Sequence, residues 1–213
     1  MKNNTRKLVL LAMLTAVAYM VVSLVRIPVV LFLSYEPKDV VITIGGFLLG
    51  PMASFIISLV VALIEMVTIS STGPIGCLMN LLSSTCFACT AAFVYKRRHT
   101  LSGAVIGLGI GSVVMVAVML LWNYLITPLY MGVERESVAA LLVPAFLPFN
   151  LLKAGFNSAL TLGLYKPLVT ALRKTGLIEN SSGSSSSKTG IYLLAGGLLV
   201  TCILFLLVLQ GKI

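Results

Sequence analysis

The sequence predicts an all-α polytopic membrane protein, a six-helix bundle with a seventh helix appended at its C-terminal end. Three observations carry that prediction. Of 213 residues, 59% are hydrophobic and only 10% charged, whereas a soluble domain carries about 25% charge. Apolar runs long enough to cross a hydrocarbon core of about 30 Å recur along almost the whole chain. The 15 Lys and Arg outnumber the 6 Asp and Glu to give a net charge of +9, yet they lie in short loops rather than on one helix or face. A nucleic-acid-binding protein concentrates its basic residues on one surface, so the charge reads as membrane topology. An ordinary soluble fold is excluded.

The first apolar run, 8–25, follows Lys2, Arg6 and Lys7. Another membrane segment comes after it instead of a polar mature domain, so an uncleaved helix is expected rather than a signal peptide. The stretch 31–39, with Tyr35-Glu-Pro-Lys-Asp39, is too short and too charged to span. Residues 40–71 are apolar again and would make one helix of about 48 Å, too long for a bilayer. Gly45-Gly46 and above all Gly50-Pro51 supply the break, because Pro favours the first turn of a new helix. A short second helix is therefore expected at 37–49 and a third at 51–70, then a turn at Ser71-Thr-Gly-Pro74. Two spans follow at 75–95 and 101–126.

Pro128 and the loop Gly132-Val-Glu-Arg-Glu-Ser137 are expected to end the fifth span. Residues 139–172 supply the sixth, with Pro144 and Pro148 confining its regular helix to 147 onward. The segment Asn180-Ser-Ser-Gly-Ser-Ser-Ser-Ser-Lys188 reads as a flexible linker, and 191–209 as a last apolar helix. The expected organisation is a membrane domain over 1–178, a Ser-rich linker over 179–190 and an additional transmembrane helix over 191–210.

If six spans alternate, Lys2, Arg6, Lys7, Lys96, Arg97, Arg98, Lys166, Arg173 and Lys174 fall on one side and Arg26, Lys38 and Arg135 on the other. That bias places the N-terminus in the cytoplasm. The three opposite-side cations lie near Glu36, Asp39, Glu134 and Glu136, which makes that side close to neutral.

An ionisable residue at the centre of a membrane helix costs roughly 2.5 to 3.5 kcal/mol on insertion scales and is a functional candidate by default. Glu65 and Lys153 are the two read from the sequence, each about 10 Å below the outer end of its helix. Asn80 and Asn123 lie at similar depth. Asn150, Lys153 and Asn157 are spaced i, i+3, i+7 and share one helix face. These groups imply a polar cavity reached from outside rather than a continuous pore. Amides also join helices by hydrogen bonds, and Glu65 has the alternative of pairing with Lys153 or capping a loop.

No phosphate loop of the Gly-x-x-x-x-Gly-Lys type occurs, so ATP hydrolysis by that mechanism is excluded and energy must come from elsewhere. Gly107-Leu-Gly-Ile-Gly-Ser112 has no strand before it and is no nucleotide fingerprint. Cys86-Phe-Ala-Cys89 has metal or redox spacing but lies in an apolar span, and the single histidine, His99, sits in a basic loop, so small buried side chains are expected and no metal site. Gly103, Gly107 and Gly111, and Ala12 with Ala16, form small-x-x-x-small steps that let helix backbones approach closely. Spacing leaves open whether their partners are helices of this chain or another subunit. No internal repeat supports an inverted-repeat carrier.

Several segments in order resemble the riboflavin-specific substrate-binding (S) component of energy-coupling factor transporters: Tyr35-Glu-Pro-Lys-Asp39-Val, Ile44-Gly-Gly-Phe-Leu-Leu-Gly-Pro51, Thr72-Gly-Pro-Ile-Gly76 before Asn80, Trp122-Asn-Tyr-Leu-Ile-Thr-Pro-Leu-Tyr130 and Pro148-Phe-Asn-Leu-Leu-Lys-Ala-Gly155. They cover about residues 5–175. The resemblance implies a six-helix protein without catalytic residues or a cofactor. It would capture riboflavin from outside beneath the loop after helix one. It would dock on a transmembrane coupling protein served by two cytoplasmic ATPase subunits. It assigns ligand-binding roles to Asn123 and Lys153, matches the first-loop acidic motif with Asp39, and makes Ala12 and Ala16 the docking step. Chemically, an amide both donates and accepts at the pyrimidine-like edge of a flavin, Lys donates to ring acceptors, and Asp accepts from ribityl hydroxyls. Asn80, Asn150 and Glu65 complete the candidate set, with Trp122, Tyr124 or Phe149 as apolar walls or, for Trp122 above all, interfacial anchors. The Ser-rich linker and the seventh helix depart from the family pattern. The competing readings are an S component for another vitamin or precursor, a stand-alone carrier, and a membrane enzyme, the last disfavoured by one His and six scattered acids.

Overall fold

The computed structural model describes residues 2–70, 72–174 and 188–209. Helix α1 (Lys2–Leu24) leads into a hairpin of β1 (Ile27–Val30) and β2 (Leu33–Tyr35), followed by α2 (Lys38–Leu49), α3 (Pro51–Thr68), α4 (Gly73–Arg97) and α5 (Leu101–Met131). Then come α6 (Arg135–Leu141), a π-helical turn (Leu142–Phe146), α7 (Leu147–Lys174) and α8 (Lys188–Leu209). The polytopic helical class and the break at Gly50-Pro51 are as expected, and the six helices of the bundle are α1 to α5 and α7. Gly50 holds φ +98°, which an L side chain adopts only under strain, and Pro51 opens α3.

Five described stretches are long and apolar enough to cross a membrane: Asn4–Leu24, Pro51–Thr68, Gly73–Arg97, Leu101–Met131 and Arg135–Leu168. This corrects the reading of all six bundle helices as spans. With 12 residues, α2 reaches only about 18 Å, and it is buried among α1, α3, α4 and α7 rather than spanning on its own. The apolar part of α8, Tyr192–Val208, is also shorter than those five. The linker expected over 179–190 lies outside the described residues as far as 187, and helix already begins at Lys188.

Three further local corrections follow. Pro128 does not end α5, because it falls in the last turn, and Gly132 at φ +65° terminates the helix by donating to the Pro128 carbonyl. Arg135 to Ser137, read as loop, open α6. The first loop, read only as too short and too charged to span, contains an antiparallel hairpin with the pairs Ile27 with Tyr35, Pro28 with Ser34 and Val30 with Leu33 and a register irregularity between Pro28 and Val30. Leu31 at its tip has φ +52°, a backbone state that costs a non-glycine residue of order 1 kcal/mol.

Glycine contact brings α4 and α5 together. A Cβ at Gly107 would stand 2.7 Å from the Ala91 carbonyl oxygen, and one at Gly111 2.6 Å from that of Phe87. The small-residue stripe of α5 therefore faces a helix of the same chain. By contrast, Ala12 and Ala16 on α1 are exposed. At the end of the bundle carrying Lys96, Arg97 and Arg98, Phe47, Tyr95 and Tyr165 close the interior, with Phe47–Tyr95 ring centroids 4.4 Å apart and a 2.7 Å hydrogen bond between the two tyrosines. At the opposite end a small apolar cluster of Leu33, Val138, Phe146 and Phe149 seats the hairpin on α6, the π turn and α7.

Candidate ligand-binding site

Pro37 ends the hairpin and sets α2 off, which carries Lys38 and Asp39 in its first turn directly into the bundle. Both are buried, at 1% and 0% exposure. A charge in that position is tolerated only when paired and hydrogen-bonded, and each residue has its own set of partners.

The Lys38 ammonium lies 2.7 Å from Glu36 Oε2 and 2.5 Å from Glu65 Oε1. Glu65 Oε2 also accepts from Asn80 Nδ2 at 3.0 Å. Arg26 closes this chain from the hairpin side, 2.7 Å from Glu36 Oε1, while its other terminal nitrogen donates to the Ile69 carbonyl at 3.3 Å. Burial opposes ionisation of Glu36, but Lys38, Lys153 and Arg26 outweigh it and hold the carboxyl below its ordinary range.

Asp39 organises the second set. Its Oδ1 accepts from Ser84 Oγ at 2.5 Å and its Oδ2 from Asn157 Nδ2 at 3.2 Å. The Tyr35 hydroxyl donates in turn to Asn157 Oδ1 at 3.1 Å. Lys153 Nζ sits 3.3 Å from Asp39 Oδ2 and donates to Ser83 Oγ at 3.1 Å. Arg26, Lys38 and Lys153 thus face Glu36, Asp39 and Glu65, and the formal charges cancel.

Between these sets and the hairpin lies a cavity of about 200 Å³. Phe32, Leu33 and Ser34 roof it, with Arg26, Glu36, Ser70 and Thr72 at its margin. Its walls are Met79, Asn80, Ser83, Met119, Asn123, Phe149, Asn150 and Lys153. A narrow apolar recess beside it is lined by Phe32, Thr72, Met79, Trp122, Thr127 and Tyr130, among others.

Four predicted residues, Asn80, Asn123, Asn150 and Lys153, are brought together on this wall. Asp39 and Glu65 are not on it. They lie behind Lys153 and Asn80 and hold those side chains in place, and Glu65 pairs with Lys38 rather than with Lys153. Asn157, expected on the same face as Lys153, is buried against Asp39 and Tyr35. Asn150 Nδ2 donates to the Phe146 carbonyl at 2.7 Å, joining α7 to the π turn. Asn123 is fully buried, its Oδ1 accepting from Thr127 at 3.0 Å, and its Nδ2 has no hydrogen-bond partner among the described residues. Of the aromatic walls, Phe149 lines the cavity and Trp122 the recess, whereas Tyr124 is exposed beneath the Arg135 guanidinium. Cys86 and Cys89 are half-buried free thiols, and Cys89 contacts the Pro51 carbonyl.

Sequence reasoning missed Lys38, Glu36, Arg26 and Ser83. Lys38 counted there as a loop cation. The signal that it is buried was the motif Glu36-Pro-Lys-Asp39, with carboxylates on both sides of a lysine at a helix start.

Comparison with known proteins agrees with this architecture. Residues 6–165 match the family model described as ECF transporter, substrate-specific component. The chain is similar to the riboflavin transporter RibU of Staphylococcus aureus (strain TCH60), 28% identical over 180 residues covering 80% of this chain and 94% of that protein. It is also similar to the riboflavin transporter FmnP of Bacillus subtilis (strain 168), 26% identical over 162 residues covering 70% and 85%. A solved structure, described as the S component of a bacterial ECF transporter, matches with a TM-score of 0.68 and 27% identity over 80% of this chain and 99% of that one. Sequence match, fold and the roofed polar cavity converge: the chain belongs to the family of substrate-specific components of ECF transporters.

Proposed function

We propose that this protein captures riboflavin in the cavity beneath the β1–β2 hairpin and delivers it inward with the help of separate ATPase subunits. Asn123 Nδ2, without a partner among the described residues and on the same cavity as Lys153, carries this reading. A buried donor left unpaired costs about 1–3 kcal/mol, and a ligand carbonyl or ring nitrogen recovers that. Lys153 uses two directions for Asp39 and Ser83, which leaves a third N–H for the same ligand edge. Phe149, Met119 and Met79 offer apolar contact to a flat ring. The names of the relatives supply the ligand's identity.

The cancelled charges favour a neutral ligand. A phosphate ester adds about −1.5 to −2 charge to a site without a spare cation, so flavin mononucleotide is expected to bind more weakly than riboflavin. The roofed cavity is smaller than the roughly 300–1,000 Å³ of ordinary ligand sites. Phe32, Leu33 and Ser34 of the hairpin region line this cavity, which makes the hairpin the element that moves aside on entry in this proposal.

The remaining parts of the reading are the orientation and the coupling. The cluster Lys96, Arg97, Arg98 faces the cytoplasm with the N-terminus, and the hairpin faces outward. The exposed Ala12 and Ala16 of α1 dock on a transmembrane coupling protein. Cells expressing the chain with a coupling protein and its two ATPases should accumulate labelled riboflavin, and the subunits should copurify. Uptake that persists with inactive ATPases would overturn the coupling and favour a stand-alone carrier.

A further inference from the structure

The family match ends at residue 165, yet α8 is seated on α7 and reaches β1 of the hairpin. Its contact face is made of small residues. Ala195 is 3% exposed and belongs to the main core, and Cys202, seven residues on, lies on the same side of the helix. A Cβ built on Gly155 of α7 would come within 2.5 Å of Cys202 Sγ, so the two helices meet closely here, glycine against a small side chain that must turn aside for anything larger. The opposite face, with Leu193, Leu204 and Val208, is exposed and apolar, as a lipid-facing surface requires.

The meeting point matters because of its neighbours on α7. Two residues before Gly155 is Lys153. The next two, Phe156 and Asn157, hold the hairpin: the Tyr35 ring packs on Phe156 with centroids 5.0 Å apart, and its hydroxyl donates to Asn157. Gly155 thus lies within one helical turn of α7 from a residue of the cavity wall and from the residues that hold the roof, and α8 touches β1 directly as well.

Resting on the riboflavin reading, we propose that α8 is an intramolecular strap that keeps the α7 wall and the hairpin closed over bound ligand, and that its docking at Gly155 sets the rate of ligand release.

The test uses the full chain carrying Gly155→Cys, which faces Cys202 closely enough for a disulfide. The purified protein is loaded with riboflavin, oxidised or reduced, and the recovery of flavin fluorescence is followed after dilution. Mass analysis of the bridge, with Gly155→Cys/Cys202→Ala as control, shows whether it has formed. The strap predicts a bridge between the introduced thiol and Cys202, and riboflavin release at least five-fold slower in the oxidised than in the reduced protein, with no redox effect in the control. It also predicts that Gly155→Leu, which pushes α8 away, releases riboflavin faster than the unmodified chain while retaining a cooperative thermal transition. Failure to form the bridge, or equal release rates in all these states, would overturn it. Absence of riboflavin binding by the unmodified chain would instead overturn the functional reading beneath it.

Discussion

Replacing Lys153 by Ala removes a charged donor from the cavity and leaves the buried Asp39 with Ser84 and Asn157 as donors but without its paired cation, so the variant should lose stability as well as affinity, and binding is to be read on protein that retains a cooperative thermal transition. Hydrogen bonds to charged groups are worth about 1.5–3 kcal/mol, which is roughly a 10- to 100-fold loss of riboflavin affinity by fluorescence titration. Asn123→Ala should weaken binding several-fold, because its amide N–H group has no partner among the described residues and is free for the ligand, and it should lower the melting temperature modestly through loss of the buried Thr127–Asn123 Oδ1 hydrogen bond. The pH dependence has a definite sign. The Glu36 carboxyl is held below its ordinary value, so its contribution to stability is complete above the unfolded carboxylate pKa of about 4.3 and is lost as pH falls through the lower folded value. Melting curves from neutral to acidic pH should steepen downward in that window, and Glu36→Gln should flatten the decline. Asn80, Asn123, Asn150 and Lys153 were legible in the sequence because an amide or ammonium in an apolar helix is costly enough to stand out. Lys38 and Glu36 were not, because a Pro and two acids in a short segment look like loop; only the fold places Glu65 opposite Lys38.

Between α4 and α5 the contact is backbone against backbone, and two neighbouring glycines separate packing from propensity. Gly111→Ala drives a methyl toward the Phe87 carbonyl, 2.6 Å away, and should destabilise the bundle by about 1–3 kcal/mol. Gly109 is exposed with nothing within 4 Å of a new Cβ, so Gly109→Ala should be neutral or stabilise by up to about 1 kcal/mol. Thermal unfolding of the two variants in detergent checks both. Most helices were legible because apolar runs and the Gly50-Pro51 break state them directly. The hairpin was hidden: its strands have four and three residues, and its tip carries Leu31 rather than the Gly or Asn of a regular two-residue turn. Pro144 and Pro148 marked a disturbance before α7, but whether the backbone answers with a kink, a loop or a π turn depends on Val138 and Phe146 packing beneath the hairpin.

As a whole the molecule is closed by aromatic rings at its basic end and roofed by a short hairpin at the other, a form suited to holding a ligand rather than conducting it. On the proposed function transport depends on a partner, and Ala12→Trp with Ala16→Trp on the exposed face of α1 should abolish coupled uptake while riboflavin binding persists. The burial of α2 and the seat of α8 were beyond the sequence, since hydropathy counts apolar residues without saying which face protein and which face lipid. If the cavity is the flavin site, a riboflavin titration of the purified chain followed by fluorescence quenching shows it most directly. The expected result is saturable quenching at one flavin per chain, weakened at least tenfold by Lys153→Ala and several-fold by Asn123→Ala. No saturable binding by the unmodified chain, or unchanged affinity in both variants, would contradict it.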